Sequence, residues 1–318
     1  MKYRQLGKTG IEVSVLCLGT MQFGWSADEA TSFEILSAAY EAGINFIDTA
    51  DIYSRWADGN PGGVSEEIIG KWRKQAKIPR EKLVIATKVR GMMGNPPTEG
   101  LSGKRIQKMV EDSLRRLDIE YIDLYQAHWA DVDVEIEETL RAFDDLVQSG
   151  KVRAIGCSNY SGEQLREALE VSEKIDLARY DTLQPHYSLV HRAEYERELA
   201  EICRENNIGV IPYSPLAAGF LTGKYRRDKK ADSVRAGSVK KYFTEENWAL
   251  LEAMDEIAAT HDATVTQVAL AWQLADPVIS SPIIGANSIS QLNDSLGAVE
   301  LMLMHDEKMN LNELSRWE

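Results

Sequence analysis

The chain has 318 residues, 44% of them apolar and 27% charged. That is the balance of a folded protein with a sizeable core, and it argues against a disordered chain or a set of membrane spans. Asp and Glu number 50 against 36 Lys and Arg, a net charge of −14 that repels phosphate backbones and anionic lipid, so neither nucleic acid nor a membrane is expected as a partner.

The opening stretch MKYRQLGKTGIEVS, with turn-forming residues at Lys8, Thr9 and Gly10, reads as a small hairpin capping one end of the fold. Its only apolar run is far too short for a signal peptide or a span. Cys17, Cys157 and Cys203 cannot all pair and lie in no metal-ligand spacing. A cytoplasmic protein without a metal is therefore expected.

Beyond the hairpin, short runs rich in Val, Ile and Leu predict strands at residues 15–18, 45–48, 83–88, 122–128, 152–157, 182–184, 209–213 and 282–285. Helical spacing fills the gaps between them. Ser26 and Glu29 suggest a capping box for a helix with Phe33, Leu36 and Tyr40, and Gly43 follows its end. Ile106, Met109, Val110, Leu114 and Leu117 share one helical face; Ile136, Leu140, Phe143 and Val147 share another, which Gly150 terminates. Between the seventh and eighth strands a long loop near residues 216–243 precedes two extra helices, around 248–258 and 265–274. The tail from residue 298, with Met302, Met304 and Trp317, either closes over a site or packs on the side of the fold.

Apolar runs that do not alternate indicate strands buried on both faces of a parallel sheet. Eight of them, most at the spacing of a βα unit, predict a single α/β domain over residues 1–318: a (β/α)8 TIM barrel with a hairpin cap and a long loop after strand seven.

In such a barrel chemistry sits at the carboxyl ends of the strands. Three successive strands end on ionisable groups: Asp48 in IDTADIY, with Tyr53 in the loop beyond it, Lys88 in ATKV and His128 in YQAHW. Each alone has an ordinary structural explanation, but adjacent strand tips converge within hydrogen-bond range. A lysine beside a tyrosine makes the phenol a better proton donor by stabilising the phenolate, and an aspartate supplies the lysine's counter-ion. The cluster suits general acid-base work on a carbonyl or alcohol.

These stretches, with IGCSNY, LQPHYSLV, YSPLAAGFLTGKY and IIGANSISQLNDSL, resemble the aldo-keto reductases over essentially the whole chain. The resemblance extends to bacterial members and to the potassium-channel β-subunit branch. It implies a catalytic tetrad of Asp48, Tyr53, Lys88 and His128, in which Tyr53 protonates a carbonyl oxygen while a nicotinamide supplies hydride. It also implies that Ser158, Asn159 and Gln184 hold the carboxamide, that Tyr213 stacks on the nicotinamide ring, and that Ser214, Leu216, Gly219 and Lys224 lie along the pyrophosphate. Gly285, Asn287, Gln291, Asp294 and Ser295 match the segment after the eighth strand, which has no basic residue for a 2′-phosphate. Arg235 on the long loop resembles the residue that assists instead in related proteins, so NADP(H) is favoured, with NAD(H) the other option. No dinucleotide or P-loop glycine motif is present.

Trp25, Trp56, Met92, Met93 and Trp129 follow strand ends, where they either wall an apolar substrate pocket or plug the barrel mouth. The leading expectation is reduction of small aldehydes or ketones to alcohols. The rivals are a cofactor-binding, redox-sensing module with slow turnover and a lyase or isomerase using Lys88 as a Schiff-base amine. Oligomeric state, natural substrate and direction are not legible here.

Overall fold

A computed structural model describes residues 1–93, 98–228 and 236–317. Strands β1 (Tyr3–Gln5) and β2 (Glu12–Ser14) form the antiparallel hairpin. Eight further strands run parallel in one sheet: β3 (Cys17–Gly19), β4 (Phe46–Asp48), β5 (Val84–Val89), β6 (Ile122–Ala127), β7 (Val152–Ser158), β8 (Tyr180–Gln184), β9 (Gly209–Val210) and β10 (Ile283–Ile284). Their order follows the chain from β3 to β9, with β10 beside β3. The sheet curls until its edges meet: Ser280 N–H donates to the Val210 carbonyl and Ile283 N–H to that of Pro212, both at 2.8 Å. This is the (β/α)8 barrel expected from the repeat.

The helices are α1 (Glu29–Glu41), α2 (Val64–Gln75), α3 (Gly103–Leu117), α4 (Ile136–Gln148), α5 (Gly162–Ile175), α6 (Ala200–Asn206), α7 (Ala236–Val239), α8 (Glu245–Thr260), α9 (Val265–Leu274), α10 (Ile289–Leu296) and α11 (His305–Leu314). On α3 all five residues assigned to the inner face are buried; on α4 Leu140 and Phe143 are, while Ile136 and Val147 are half-buried near its ends. Alternation along β5 explains why the strands read as continuous apolar runs. Ile85 and Val89 join the large core between sheet and helices, while Val84 and Ala86 join a smaller core inside the barrel.

That inner core is layered. Leu6, Ile11 and Val13 of the hairpin plug one end, and Cys17, Phe46, Val84, Ala86, Leu124, Ala154, Ile211 and Ile283 fill the middle. The hairpin seats closely because Gly7, at φ +57°, leaves no room for a Cβ: one would lie 2.6 Å from the Asp181 carbonyl and 2.7 Å from the Gly209 nitrogen. Lys88, Gln126 and Gln184 are buried toward the opposite, carboxyl end.

Two expectations need correction. The seventh strand was expected to reach residue 213 but ends at Val210, because Pro212 has no N–H for the ladder; Tyr213 rejoins only through an isolated bridge to His186. The cap of α1 is Asp28, whose carboxylate accepts from Thr31 N–H, not Ser26, which lies in the preceding turn and bonds Asn287 Oδ1 at 2.8 Å. The tail packs on the barrel's flank. Trp272 Nε1 on α9 donates to Asn312 Oδ1, and Trp317 Nε1 to Glu196.

Candidate active site

Strand register brings the four ionisable groups to one end of the barrel. Asp48 closes β4, Lys88 is paired with Gln126 near the end of β5, and His128 follows β6 directly. The Lys88 ammonium is fully buried and donates to Asp48 Oδ2 at 2.6 Å, to the Thr49 carbonyl at 2.8 Å and to the Tyr53 hydroxyl at 2.9 Å. All three of its donor directions are therefore used. The other Asp48 oxygen accepts from Gln184 Nε2 at 2.9 Å and Gln126 Nε2 at 3.4 Å. The Tyr53 and His128 rings meet edge to face, 6.0 Å between centroids.

Electrostatics fix the charge states. Burial opposes the Lys88 charge, but Asp48 and Tyr53 outweigh it and raise the amine above its ordinary value. Burial raises the Tyr53 phenol and Lys88 pulls it down; the balance is upward, so the cation moderates the shift without reversing it. Burial, reinforced by Lys88 and Arg90, holds His128 well below the usual imidazole range, and its buried Nδ1 has no hydrogen-bond partner among the described residues.

Beside this cluster stand the residues expected to hold a nicotinamide. Ser158 and Gln184 are register partners across β7 and β8, and the Ser158 hydroxyl donates to the Gln184 carbonyl at 2.8 Å. Asn159, at φ +57°, donates to the His128 carbonyl and to Ser158 Oγ, and accepts from the Tyr213 hydroxyl at 2.9 Å. Amides, a hydroxyl and a partly open aromatic face form a donor set that fits a flat ring bearing a carboxamide. The Gln184 side chain turns to Asp48, so a carboxamide would compete with that bond.

Ser214, Leu216, Gly219 and Lys224 share one loop, in which Ser214, Ala217, Ala218 and Gly219 all have positive φ. For three non-glycine residues this is costly backbone, of the kind retained where it is used. A Cβ on Gly219 would lie 3.0 Å from Lys224 Nζ, so the ammonium covers that bare backbone. Gly285, Asn287 and Gln291 gather around the start of α10, where Gln291 Oε1 accepts from Asn287 N–H at 2.9 Å, and Ser295 lies one turn further on, its hydroxyl donating to the Gln291 carbonyl at 3.1 Å. Asp294 is drawn away: its carboxylate accepts from Thr264 Oγ1 at 2.6 Å, at the cap of α9. Arg235 lies outside the described residues.

Trp25, Trp56 and Trp129 are 37%, 45% and 38% exposed; Met92 is similar and Met93 is buried. The Trp25 and Trp56 rings meet edge to face at 5.9 Å, Trp56 meets Tyr53 at 6.1 Å, and Trp129 stacks on His128 at 3.8 Å. The sequence reading missed Gln126, although it is an inward polar residue two positions before His128. It also missed Asp51 and the His186–His191 pair, whose surroundings no local pattern announces.

Comparison with known proteins agrees with this architecture. The model of the Aldo/keto reductase family matches residues 15–316. The uncharacterized oxidoreductase YrpG of Bacillus subtilis is 40% identical, covering 99% of this chain and 96% of its own. Aldo-keto reductase AMT2 of Alternaria alternata is 34% identical, over 98% and 90% of the two chains. A protein of Arabidopsis thaliana named a probable voltage-gated potassium channel subunit beta is 32% identical, over 95% and 92%.

Proposed function

The chain belongs to the aldo/keto reductase family and is an oxidoreductase, and from that premise we propose that it reduces aldehydes or ketones to alcohols with NADP(H), Tyr53 acting as general acid. The observation that carries this reading is the Lys88 ammonium held between Asp48 at 2.6 Å and the Tyr53 hydroxyl at 2.9 Å.

When bound, the nicotinamide would supply the hydride received by the carbonyl carbon. The protein's part is the proton. As charge develops on the carbonyl oxygen, Tyr53 gives up its hydroxyl proton, and the phenolate left behind keeps its bond to Lys88, whose charge Asp48 balances. Gln126 and Gln184 fix Asp48 and so the direction of the ammonium. His128 stays neutral and orients the oxygen through a hydrogen bond rather than a charge. Trp25, Trp56 and Trp129 offer flat apolar surface around that oxygen, which suits small aliphatic or aromatic aldehydes. Ser158, Asn159, Gln184 and Tyr213 would hold the ring end of the cofactor; Ser214, Leu216, Gly219 and Lys224 the pyrophosphate; Arg235 and the segment from Gly285 to Ser295 the rest.

The whole of residues 1–318 is read as one catalytic barrel acting in the cytoplasm. Purified protein should oxidise NADPH when given a simple aldehyde, and Tyr53→Phe should lose most of that activity while binding NADPH as the parent does. A Tyr53→Phe variant as active as the parent would refute the mechanism.

A second reading follows from the channel-subunit relative: a redox-sensing module that retains cofactor and turns over slowly. Fast multiple turnover argues against it; tightly retained cofactor with a stoichiometric partner argues for it. Schiff-base chemistry at Lys88 is disfavoured by its three hydrogen bonds, and borohydride trapping with substrate tests it.

A further inference from the structure

Tyr213 is one rung of a stack that the nicotinamide reading leaves unexplained. His186 follows β8 by two residues, and a parallel bridge puts it in register with Tyr213: Tyr213 N–H donates to the Pro185 carbonyl at 2.9 Å and Tyr187 N–H to the Tyr213 carbonyl at 3.4 Å. Register partners on parallel strands project side by side at about the strand spacing. The two ring centroids are 5.0 Å apart and the ring planes 14° from parallel.

The next turn adds a third ring. Ser188 and His191 exchange backbone hydrogen bonds at 3.1 and 2.9 Å, folding the chain back so that His191 lies on His186, 3.7 Å away and 20° from parallel. Gln273 Nε2 on α9 anchors this segment by donating to the Tyr187 carbonyl at 2.8 Å. Burial, with His191 and Lys241 adding to it, pushes His186 down to about 4, so the central ring is neutral at physiological pH. Its Nε2 is buried with no hydrogen-bond partner among the described residues, and the ring stacks on both Tyr213 and His191.

We infer that His186 and His191 are positioning residues for the cofactor: they close one face of Tyr213 and brace its ring, so that the other face takes the nicotinamide in a single plane. This rests on the nicotinamide reading above. An aromatic pair of this kind corresponds to about threefold to tenfold in affinity.

The test is titration of intrinsic fluorescence with NADPH, and with adenosine 2′,5′-bisphosphate, which lacks the nicotinamide. His186→Ala should weaken NADPH binding threefold to tenfold and leave the bisphosphate unchanged, and His186→Phe should restore the parent affinity. His191→Ala, at the outer end of the stack, should weaken NADPH about twofold and serves if His186→Ala does not fold. Unchanged NADPH affinity in the alanine variants, an equal loss for both ligands, or failure of the Phe variant to restore binding would overturn the stack's role. A parent that binds neither NADPH nor NADH would overturn the cofactor reading itself, a different result from one in which the parent binds and the variants bind equally.

Discussion

Asp51 and Asp48 stand in the same short motif and meet opposite environments. Asp48 faces Lys88, whereas Asp51 is buried among Glu66 of α2, Arg105 and Arg116 of α3 and Tyr125 of β6, and neither of its oxygens has a hydrogen-bond partner among the described residues. Glu66 is engaged by the Thr87 hydroxyl and Arg116 Nε, both at 2.6 Å. Burial, then Glu66, raises the Asp51 carboxyl to about 8, with Arg116 and Arg105 offsetting part of the rise. Between about pH 4 and pH 8 the folded chain therefore holds a proton that the unfolded chain has released. Stability attributable to this group falls as pH rises through that window, by up to about 1.4 kcal/mol per pH unit. Asp51→Asn, which mimics the protonated form, should gain stability relative to the parent progressively from pH 5 to pH 8 in urea unfolding; parallel stability curves would show that Asp51 ionises freely. Sequence made Asp48, Lys88 and His128 conspicuous because each interrupts an apolar run. Asp51, in the same motif, was not singled out, since which aspartate faces the axis depends on where β4 ends, and that is set by packing.

The same contrast holds for whole elements. Those whose ends coincide with a change of periodicity or a breaker were legible: α9 spans the expected Val265–Leu274, with Thr264 and Gln267 forming a capping box. Where two signals compete, as Ser26 and Asp28 do before α1, the choice is tertiary, because Ser26 is claimed by Asn287. The tail was ambiguous for a related reason. Its apolar residues fit a lid or a flank equally well, and only the partners decide: Asn312 receives the buried Trp272 Nε1 at 2.8 Å, and Arg192 reaches the Asn312 carbonyl and Ser315 Oγ, both at 2.8 Å. Asn312→Ala strands the indole N–H and should cost about 1–3 kcal/mol in urea unfolding. NADPH affinity should stay within twofold of the parent. A large loss of affinity would mean that the tail reaches the cofactor after all.

At the scale of the molecule, the barrel was legible because its repeat is long and regular, while the cofactor's adenosine end is argued from the resemblance alone, since Arg235 lies outside the described residues. The consequence is thermodynamic. A protein of net charge −14 binds a multiply charged anion only where local cations offset the field, and Lys88, Lys224 and Arg235 are the three assigned to that work. A ligand that binds only the folded state stabilises it by about 2.7 kcal/mol at 100 times its dissociation constant. NADPH and NADH differ only at the 2′-phosphate, so at equal concentration the difference between their thermal shifts isolates that group. NADPH should give the larger shift, and Arg235→Ala should shrink the NADPH shift toward that of NADH while leaving the NADH shift where it was. Equal shifts in the parent would remove the case for NADP(H). A larger NADPH shift that survives Arg235→Ala would keep NADP(H) and move the phosphate to another cation, of which Lys224, beside the bare backbone of Gly219, is the next to substitute.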